Sequence, residues 1–354
     1  MIRRLNAASV LVALTACEAV PRSWQQDAGA AAEVSTPADA LSLADVPPVE
    51  MDVPARDAFA PQDVRVIVDA TPQDRDAVDG GSSVQRSCTP SSLAGCGTIF
   101  IPGGTFTLGD GEPVSPSPAQ RDITVSDFYI DRFEVTVARF RRFASQAPRQ
   151  SGTVRYPNGA TLAFDGAQWF VGQRAPTSTG FSRYCNWTLT PADREAHPIN
   201  CLNWNTAQAF CAWDGGRLPT EAEWEFVARG AEGRRYPWGE VRGSAVNCFS
   251  DAGSCPEDDL AYASGQTPQG VWHMSGNLQE LTADRFVYFG EPTCWGGRAQ
   301  RDPLCTHASD PRERVVIRGD NFVQALLVPG TNRAMTGVSG QNSYVGLRCV
   351  RSAP

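Results

Sequence analysis

No lysine occurs anywhere in the 354 residues, so all 31 basic side chains are arginine. That absence excludes a Schiff-base lysine, a pyridoxal-phosphate anchor and the lysine of a Walker phosphate loop. Histidine is almost as scarce: His197, His273 and His307 are the full set, which leaves little material for a His-rich metal centre. Neither a Gly-x-Ser-x-Gly nucleophile turn nor a His-Glu-x-x-His pair is present. The formal charge of -8 leaves no basic surplus of the kind that phosphate contacts need, which argues against nucleic acid as a partner.

What is there begins with an export signal over residues 1–17. Arg3 and Arg4 precede the apolar stretch from Ala7 to Ala16, which is too short to span a bilayer. It ends in Leu14-Thr15-Ala16-Cys17, which resembles a bacterial lipobox. In such signals the Cys becomes the lipidated first residue. Cys17 is therefore expected to anchor the protein in a membrane, facing the periplasm or the cell surface, and an ordinary cleaved signal is the alternative. Residues 18–87 change character, with thirteen Asp and Glu against five Arg and with Pro, Ala and Ser between them. Apolar residues occur singly there, so the segment reads as a disordered, self-repelling tether with a reach of roughly 45 Å.

Ten cysteines follow Cys17, an even number that in an exported chain predicts five disulfides. Cys88 and Cys96, Cys248 and Cys255, and Cys294 and Cys305 are close enough in sequence to favour local clips, and the full connectivity stays open. No Cys-x-x-Cys pair supports zinc.

The ordered domain is placed at 88–354. Ile99 to Gly109 reads as two short strands around Pro102-Gly103-Gly104, and Ile123 to Ile130 as another strand. Thr136 caps a helix whose Val137, Phe140 and Ala144 share a face. Asn205 or Thr206 opens a second helix with Ala207, Phe210 and Cys211 on one side, stopped by Gly215 and Gly216. The third has a capping box, Thr220-Glu221-Ala222-Glu223, with Trp224, Val227 and Ala228 apolar and Gly230 at its end. Val315 to Ile317 and Tyr344 to Val350 are further strand-like pieces, and the sum is a loop-rich α+β domain. Glu221, Glu223 and Glu225 are spaced by two, so they do not form a shared acid–base face. Trp169, Trp187 and Trp295 either stack on a sugar or peptide, if exposed, or anchor the core.

Arg217-Leu218-Pro219-Thr220-Glu221-Ala222-Glu223-Trp224-Glu225 followed by Tyr236-Pro237-Trp238-Gly239 resembles the signature of formylglycine-generating enzymes, the sulfatase-modifying factors. Ile101-Pro102-Gly103-Gly104, Asp131-Arg132-Phe133-Glu134-Val135-Thr136, Gly276-Asn277-Leu278-Gln279-Glu280-Leu281, Ile317-Arg318-Gly319 and Gly346-Leu347-Arg348-Cys349 match in the same order, from about residue 98 onward. The resemblance implies a formylglycine-generating-enzyme-like variant of the C-type lectin fold, disulfide-stabilised, with Cys211 bonded to Cys349.

For activity the resemblance implies less. The family's oxidases hold copper with two cysteines after Arg-Gly-Gly-Ser. Here the segment runs Arg318-Gly319-Asp320-Asn321-Phe322-Val323-Gln324-Ala325-Leu326-Leu327 without a Cys. Copper(I) lacks its soft ligands there, and the one relocated pair to consider is Cys294 with Cys305. The family's Gly-Asn loop commonly binds calcium. Carried over, the ligands are the Glu280 side chain and the carbonyls of Gly276 and Leu278, with His273 where an Asn or Asp belongs. Imidazole weakens or abolishes such a site, since calcium prefers hard oxygen. A second site would use Asn247, the Cys248 carbonyl and Asp258 or Asp259. The sequence thus points to an exported lipoprotein whose domain lacks the copper pair and serves as a binding or accessory module for an envelope protein, peptide or glycan. The alternative is a periplasmic metal-dependent oxidase or maturation enzyme.

Overall fold

The computed structural model describes residues 84–354 apart from 90–92, 110–118, 148, 176, 178–179, 242–246, 251, 297, 308–312 and 324–328. Cys17, the signal and nearly all of the acidic tether lie outside the described residues. The elements run β1 (Thr98–Ile101), β2 (Gly104–Leu108), β3 (Gln120–Val125), β4 (Phe128–Asp131), α1 (Val137–Gln146), β5 (Gly152–Arg155), β6 (Thr161–Phe164), α2 (Trp204–Trp213) and α3 (Glu221–Arg229). They continue with β7 (Gln279–Arg285), β8 (Gln300–Arg301), β9 (Arg314–Arg318), β10 (Arg333–Gly337), β11 (Val345–Gly346) and β12 (Val350–Ser352). Four small sheets result, ordered β1-β4-β12, β10-β9-β7-β11, β2-β3-β8 and β5-β6. The chain is α+β and rich in loops. Among the described residues no helix is long and apolar enough to cross a membrane.

The two strands around Pro102-Gly103-Gly104 form, but they do not pair with each other. β1 lies against β4 and β2 against β3, in different sheets. The single strand expected from Ile123 to Ile130 is two strands, β3 and β4. Ser126 gives its N–H and its hydroxyl to the Asp302 carboxylate at 2.6 and 2.7 Å, and Asp127 accepts the Gly103 N–H at 2.7 Å. These two polar residues leave the ladder and pass the chain from one sheet to the next.

Each helix is capped by a side chain that accepts a free N–H of its first turn. Thr136 caps α1 through the Arg139 N–H, and Val137, Phe140 and Phe143 are buried with Ala144 half-buried. Asn203, two residues ahead of the expected start, caps α2 by accepting the Thr206 N–H at 3.0 Å. The capping box of α3 is complete: Thr220 accepts from the Glu223 N–H at 3.1 Å, and Glu223 accepts from the Thr220 N–H at 2.8 Å.

Two large apolar clusters fill most of the interior, beside a smaller third around Phe322 and the Cys248–Cys255 bridge. One joins α1 and α2 to β7 and β9 through Phe140, Phe143, Trp204, Phe210, Leu281 and Ile317. The other packs Trp224 and Phe226 of α3 against Phe106, Ile123 and Phe128. Five disulfides clip the surrounding loops: Cys88–Cys96, Cys185–Cys201, Cys211–Cys349, Cys248–Cys255 and Cys294–Cys305.

Packing starts ahead of Cys88. The Gln85 amide donates to Asp131 at 2.9 Å and its carbonyl accepts the Gly97 N–H at 2.7 Å. Asp131 belongs to a fully buried group of four charges. Arg139 lies 2.9 Å from both Asp131 and Asp214, and Arg351 lies 2.6 and 2.7 Å from the same two carboxylates. Burial alone would raise the Asp131 carboxyl, but Arg139 and Arg351 outweigh it and hold the group below the usual carboxylate range.

Candidate functional site

The segment that matters most for activity leaves the end of β9. Arg318, fully buried, reaches Glu221 at 3.3 Å and also pairs with Glu225, while its guanidinium lies 5.3 Å from the Trp224 ring. Gly319 then takes φ +83°, and a Cβ there would stand 3.2 Å from that indole. Only glycine adopts this turn without strain or crowding.

Beyond the turn, Asp320, Asn321 and Phe322 point inward. The Asn321 amide donates to Gln279 at 3.3 Å, Asn332 donates to the Gly319 carbonyl at 2.8 Å, and the Phe322 N–H donates to the Asn277 carbonyl at 2.8 Å. The Phe322 carbonyl accepts the Ser250 N–H at 3.1 Å, and its ring sits 5.6 Å from Tyr184, over the Cys248–Cys255 bridge and Leu278. Phe249 and Val323 on either side of that hydrogen bond are 47% and 57% exposed. Gln324, Ala325, Leu326 and Leu327 lie outside the described residues.

Copper does not fit this place. The segment has no sulfur, and all ten cysteines of the domain are joined in pairs, Cys294 and Cys305 included. No thiolate remains to hold copper(I).

The α3 carboxylates are ion-pair partners. Against the expectation that the three share no face, Glu221 and Glu225, four apart, lie together and both meet Arg318; Glu221 also binds Arg333 at 2.5 Å, and Glu225 binds Arg229 at 2.8 Å. Glu223 is turned the other way, onto Arg217 at 2.6 Å. The tryptophans weighed as ligand platforms are inside: Trp187 and Trp295 are buried, and half-buried Trp169 stacks on Phe140 with ring centres 5.5 Å apart.

The structure brings Gly276, Leu278, Glu280 and His273 into one loop, but not as a calcium cage. Both Glu280 oxygens accept from Arg348, at 2.6 and 2.7 Å, and one also accepts the Trp224 indole N–H at 2.8 Å. His273, at φ +58°, sets its Nε2 3.3 Å from the Glu257 carbonyl oxygen, and burial with nearby Arg348 pushes its pKa down to about 4. This donor set does not fit a hard dication. For the second site, the Cys248 carbonyl accepts the Asn277 N–H at 3.4 Å, Asp258 is exposed, and Asp259 caps a 3-10 turn.

Sequence reasoning missed the carboxylates that do meet here. Glu134 and Glu257 are fully buried, and the Asn277 amide bridges them at 2.7 and 2.9 Å. Glu134 also accepts the Leu278 N–H at 3.1 Å, and Glu257 accepts the Glu134 N–H at 2.8 Å. Burial first, then the charges of Glu257 and Glu280, raises Glu134 well above its ordinary range. Burial pushes Glu257 up to about 8. Only the place of Glu134 inside Asp131-Arg132-Phe133-Glu134-Val135-Thr136 signalled it in the sequence.

The folded domain therefore keeps protons that the unfolded chain releases. This contribution is complete below the ordinary carboxylate range and is lost as pH rises towards the folded pKa of about 8. Asp284, pushed up to about 7 by burial and then by Glu221, acts in the same direction. His197 and His273, both lowered to about 4, oppose this only on the acid side of their ordinary range. Urea unfolding from about pH 6 to about pH 8 is expected to show a loss of about 2 kcal/mol from Glu257, and Glu257→Gln is expected to flatten that slope.

His197 lies 3.3 Å from Ser254 and 3.4 Å from Arg194, as a loop brace. Among the described residues no group of three or more His, Cys, Asp or Glu is placed to hold a metal.

The sulfatase-modifying factor enzyme 1-like domain, as a family model, matches residues 85–353. The chain belongs to this family. The formylglycine-generating enzyme of Streptomyces coelicolor is 28% identical over 293 residues, 73% of this chain and 90% of that protein. The Mus musculus protein named inactive C-alpha-formylglycine-generating enzyme 2 is 30% identical, over 54% of this chain and 70% of its own length. PvdO from Pseudomonas aeruginosa superposes with a TM-score of 0.53 at 19% identity, covering 78% of this chain and 100% of that one, a likeness of fold. This sulfatase-modifying-factor domain has the Arg318-Gly319 turn and the α3 ion pairs, and carries Asp320 and Asn321 into a segment without cysteine.

Proposed function

We propose that the protein is a catalytically incompetent member of the formylglycine-generating-enzyme family that works as a binding or accessory module of the cell envelope. On this reading it is a lipoprotein, held to the membrane through Cys17 by the acidic tether. One observation carries the loss of oxidase function. The segment after Arg318-Gly319 has no cysteine, and every other cysteine of the domain is already in a disulfide. Oxidation of a substrate thiol in this family needs soft ligands for copper and a sulfur to engage the substrate, and neither is available. Family membership alone does not restore the chemistry, because a fold carries many functions on different sites.

Purified protein incubated with copper(I), dioxygen and a thiol peptide is expected to form no aldehyde and to consume no dioxygen above the peptide-only control. Aldehyde formation at turnover rates would end this reading. Binding screens against envelope proteins, peptides and glycans are expected to return a partner for the intact chain.

A further inference from the structure

We propose that Arg132 and Trp272 form a carboxylate-binding site for an acidic side chain or a free chain end of a partner peptide. The site rests on the binding-module reading for its partner and uses no residue of the segment after Arg318-Gly319. Two buried donors lack an acceptor here: the Arg132 Nε and the Trp272 indole Nε1 have no hydrogen-bond partner. Trp272 is only 4% exposed. The two side chains lie against each other, with the Arg132 guanidinium 5.9 Å from the Trp272 ring centre and 5.2 Å from that of Phe133. The Phe133 and Trp272 rings are themselves 5.5 Å apart. One donor cannot satisfy another, because guanidinium and indole carry N–H groups and no acceptor. Buried polar groups are paired almost throughout folded proteins, so two orphans on touching side chains call for a shared acceptor.

Charge decides which acceptor. Fully buried Arg139, Arg318 and Arg348 each pair with an acid. Half-buried Arg132 has no carboxylate within ion-pair distance among the described residues. The edge of a guanidinium, Nε with one Nη, matches the two oxygens of a carboxylate, and a remaining lone pair suits the indole N–H. The backbone fixes both side chains before any ligand arrives. The Arg132 N–H donates to the Gly97 carbonyl at 2.9 Å, and the Trp272 N–H donates to the Arg132 carbonyl at 2.9 Å. The Arg132 and Trp272 carbonyls both accept from Arg348, at 3.3 and 2.8 Å. Binding therefore orders little of the protein. A formal charge of -8 gives no long-range pull on an acid, so recognition falls to this one fork.

Heteronuclear spectra of the full chain report the indole N–H signals of its nine tryptophans, and Trp272→Phe identifies the one from Trp272. Titration with N-acetylglutamate α-amide, an acidic side chain, or with N-acetylglycine, a free chain end, is expected to move that signal saturably. The tighter of the two assigns the source of the carboxylate. N-acetylglutamine α-amide, and sodium chloride at matched ionic strength, are expected to leave the signal in place. Arg132→Ala is expected to weaken binding by roughly tenfold or more, and Arg132→Lys, which keeps the charge without the fork, to weaken it as well. No shift with either acid overturns the site. So does an equal shift with the neutral amide, or undiminished binding by Arg132→Lys. Aldehyde formation from a thiol peptide would end the binding-module reading and leave this titration as it is.

Discussion

Asp131→Asn is expected to cost about 3–5 kcal/mol of stability, the loss typical of breaking a buried ion pair from one side. The substitution keeps the shape of the side chain and removes its charge. Arg139 and Arg351 would then share Asp214 alone, leaving one uncompensated guanidinium in the buried interior. Asp131 also accepts the Gln85 amide at 2.9 Å and the Cys349 N–H at 3.4 Å, so two neighbouring segments loosen with it. Urea unfolding at neutral pH measures the loss. The acid limb supplies a second signature. The Asp131 carboxyl is held below its ordinary range, so its contribution is present above that range and disappears as pH falls through the folded value. The variant lacks that limb. Asp193→Asn is the control: Asp193 pairs with Arg174 at 2.6 Å but is 69% exposed, and such a pair contributes about 1 kcal/mol or less.

The second large effect is expected from replacing Cys211 and Cys349 together by Ala. The bridge spans 138 residues, and its removal is expected to cost at most about 5 kcal/mol on a chain-entropy account. The nested Cys248–Cys255 and Cys294–Cys305 clips shorten the effective loop, which is why the figure is an upper bound. Removing Cys88 and Cys96, only eight residues apart, is expected to cost roughly 2–3 kcal/mol by the same relation. Thermal unfolding under oxidising conditions should rank the two double variants in that order.

What was legible in the sequence was local or strongly patterned. The α3 capping box joins residues three apart, and both of its hydrogen bonds are read from Thr220 and Glu223 alone. The ordered family motifs carried the fold, and the missing cysteines after Gly319 were plain from the residues themselves. Failures came where a distant partner decides. β3 and β4 separate because Asp302, 176 residues away, takes the Ser126 N–H. The start of α2 slipped because Asn203, Asn205 and Thr206 are all cap-competent, and only packing selects Asn203. Among Glu257, Asp258 and Asp259 nothing local tells which acid turns inward; the choice fell on the two aspartates, and the buried one is Glu257. Nor does spacing reveal that Arg348 would occupy both oxygens of Glu280.

Arg348, Cys349 and Arg351 complete three separate pieces of the interior, on Glu280, on Cys211 and on Asp131 with Asp214. A ribosome delivers these residues after the acids and the cysteine that they meet. Until they emerge, Glu280 lacks Arg348, Asp131 and Asp214 lack Arg351 of β12, and the longest covalent closure has no second thiol. Closure of the domain interior therefore waits for the segment from Arg348 to Arg351, whatever its upstream helices have already formed.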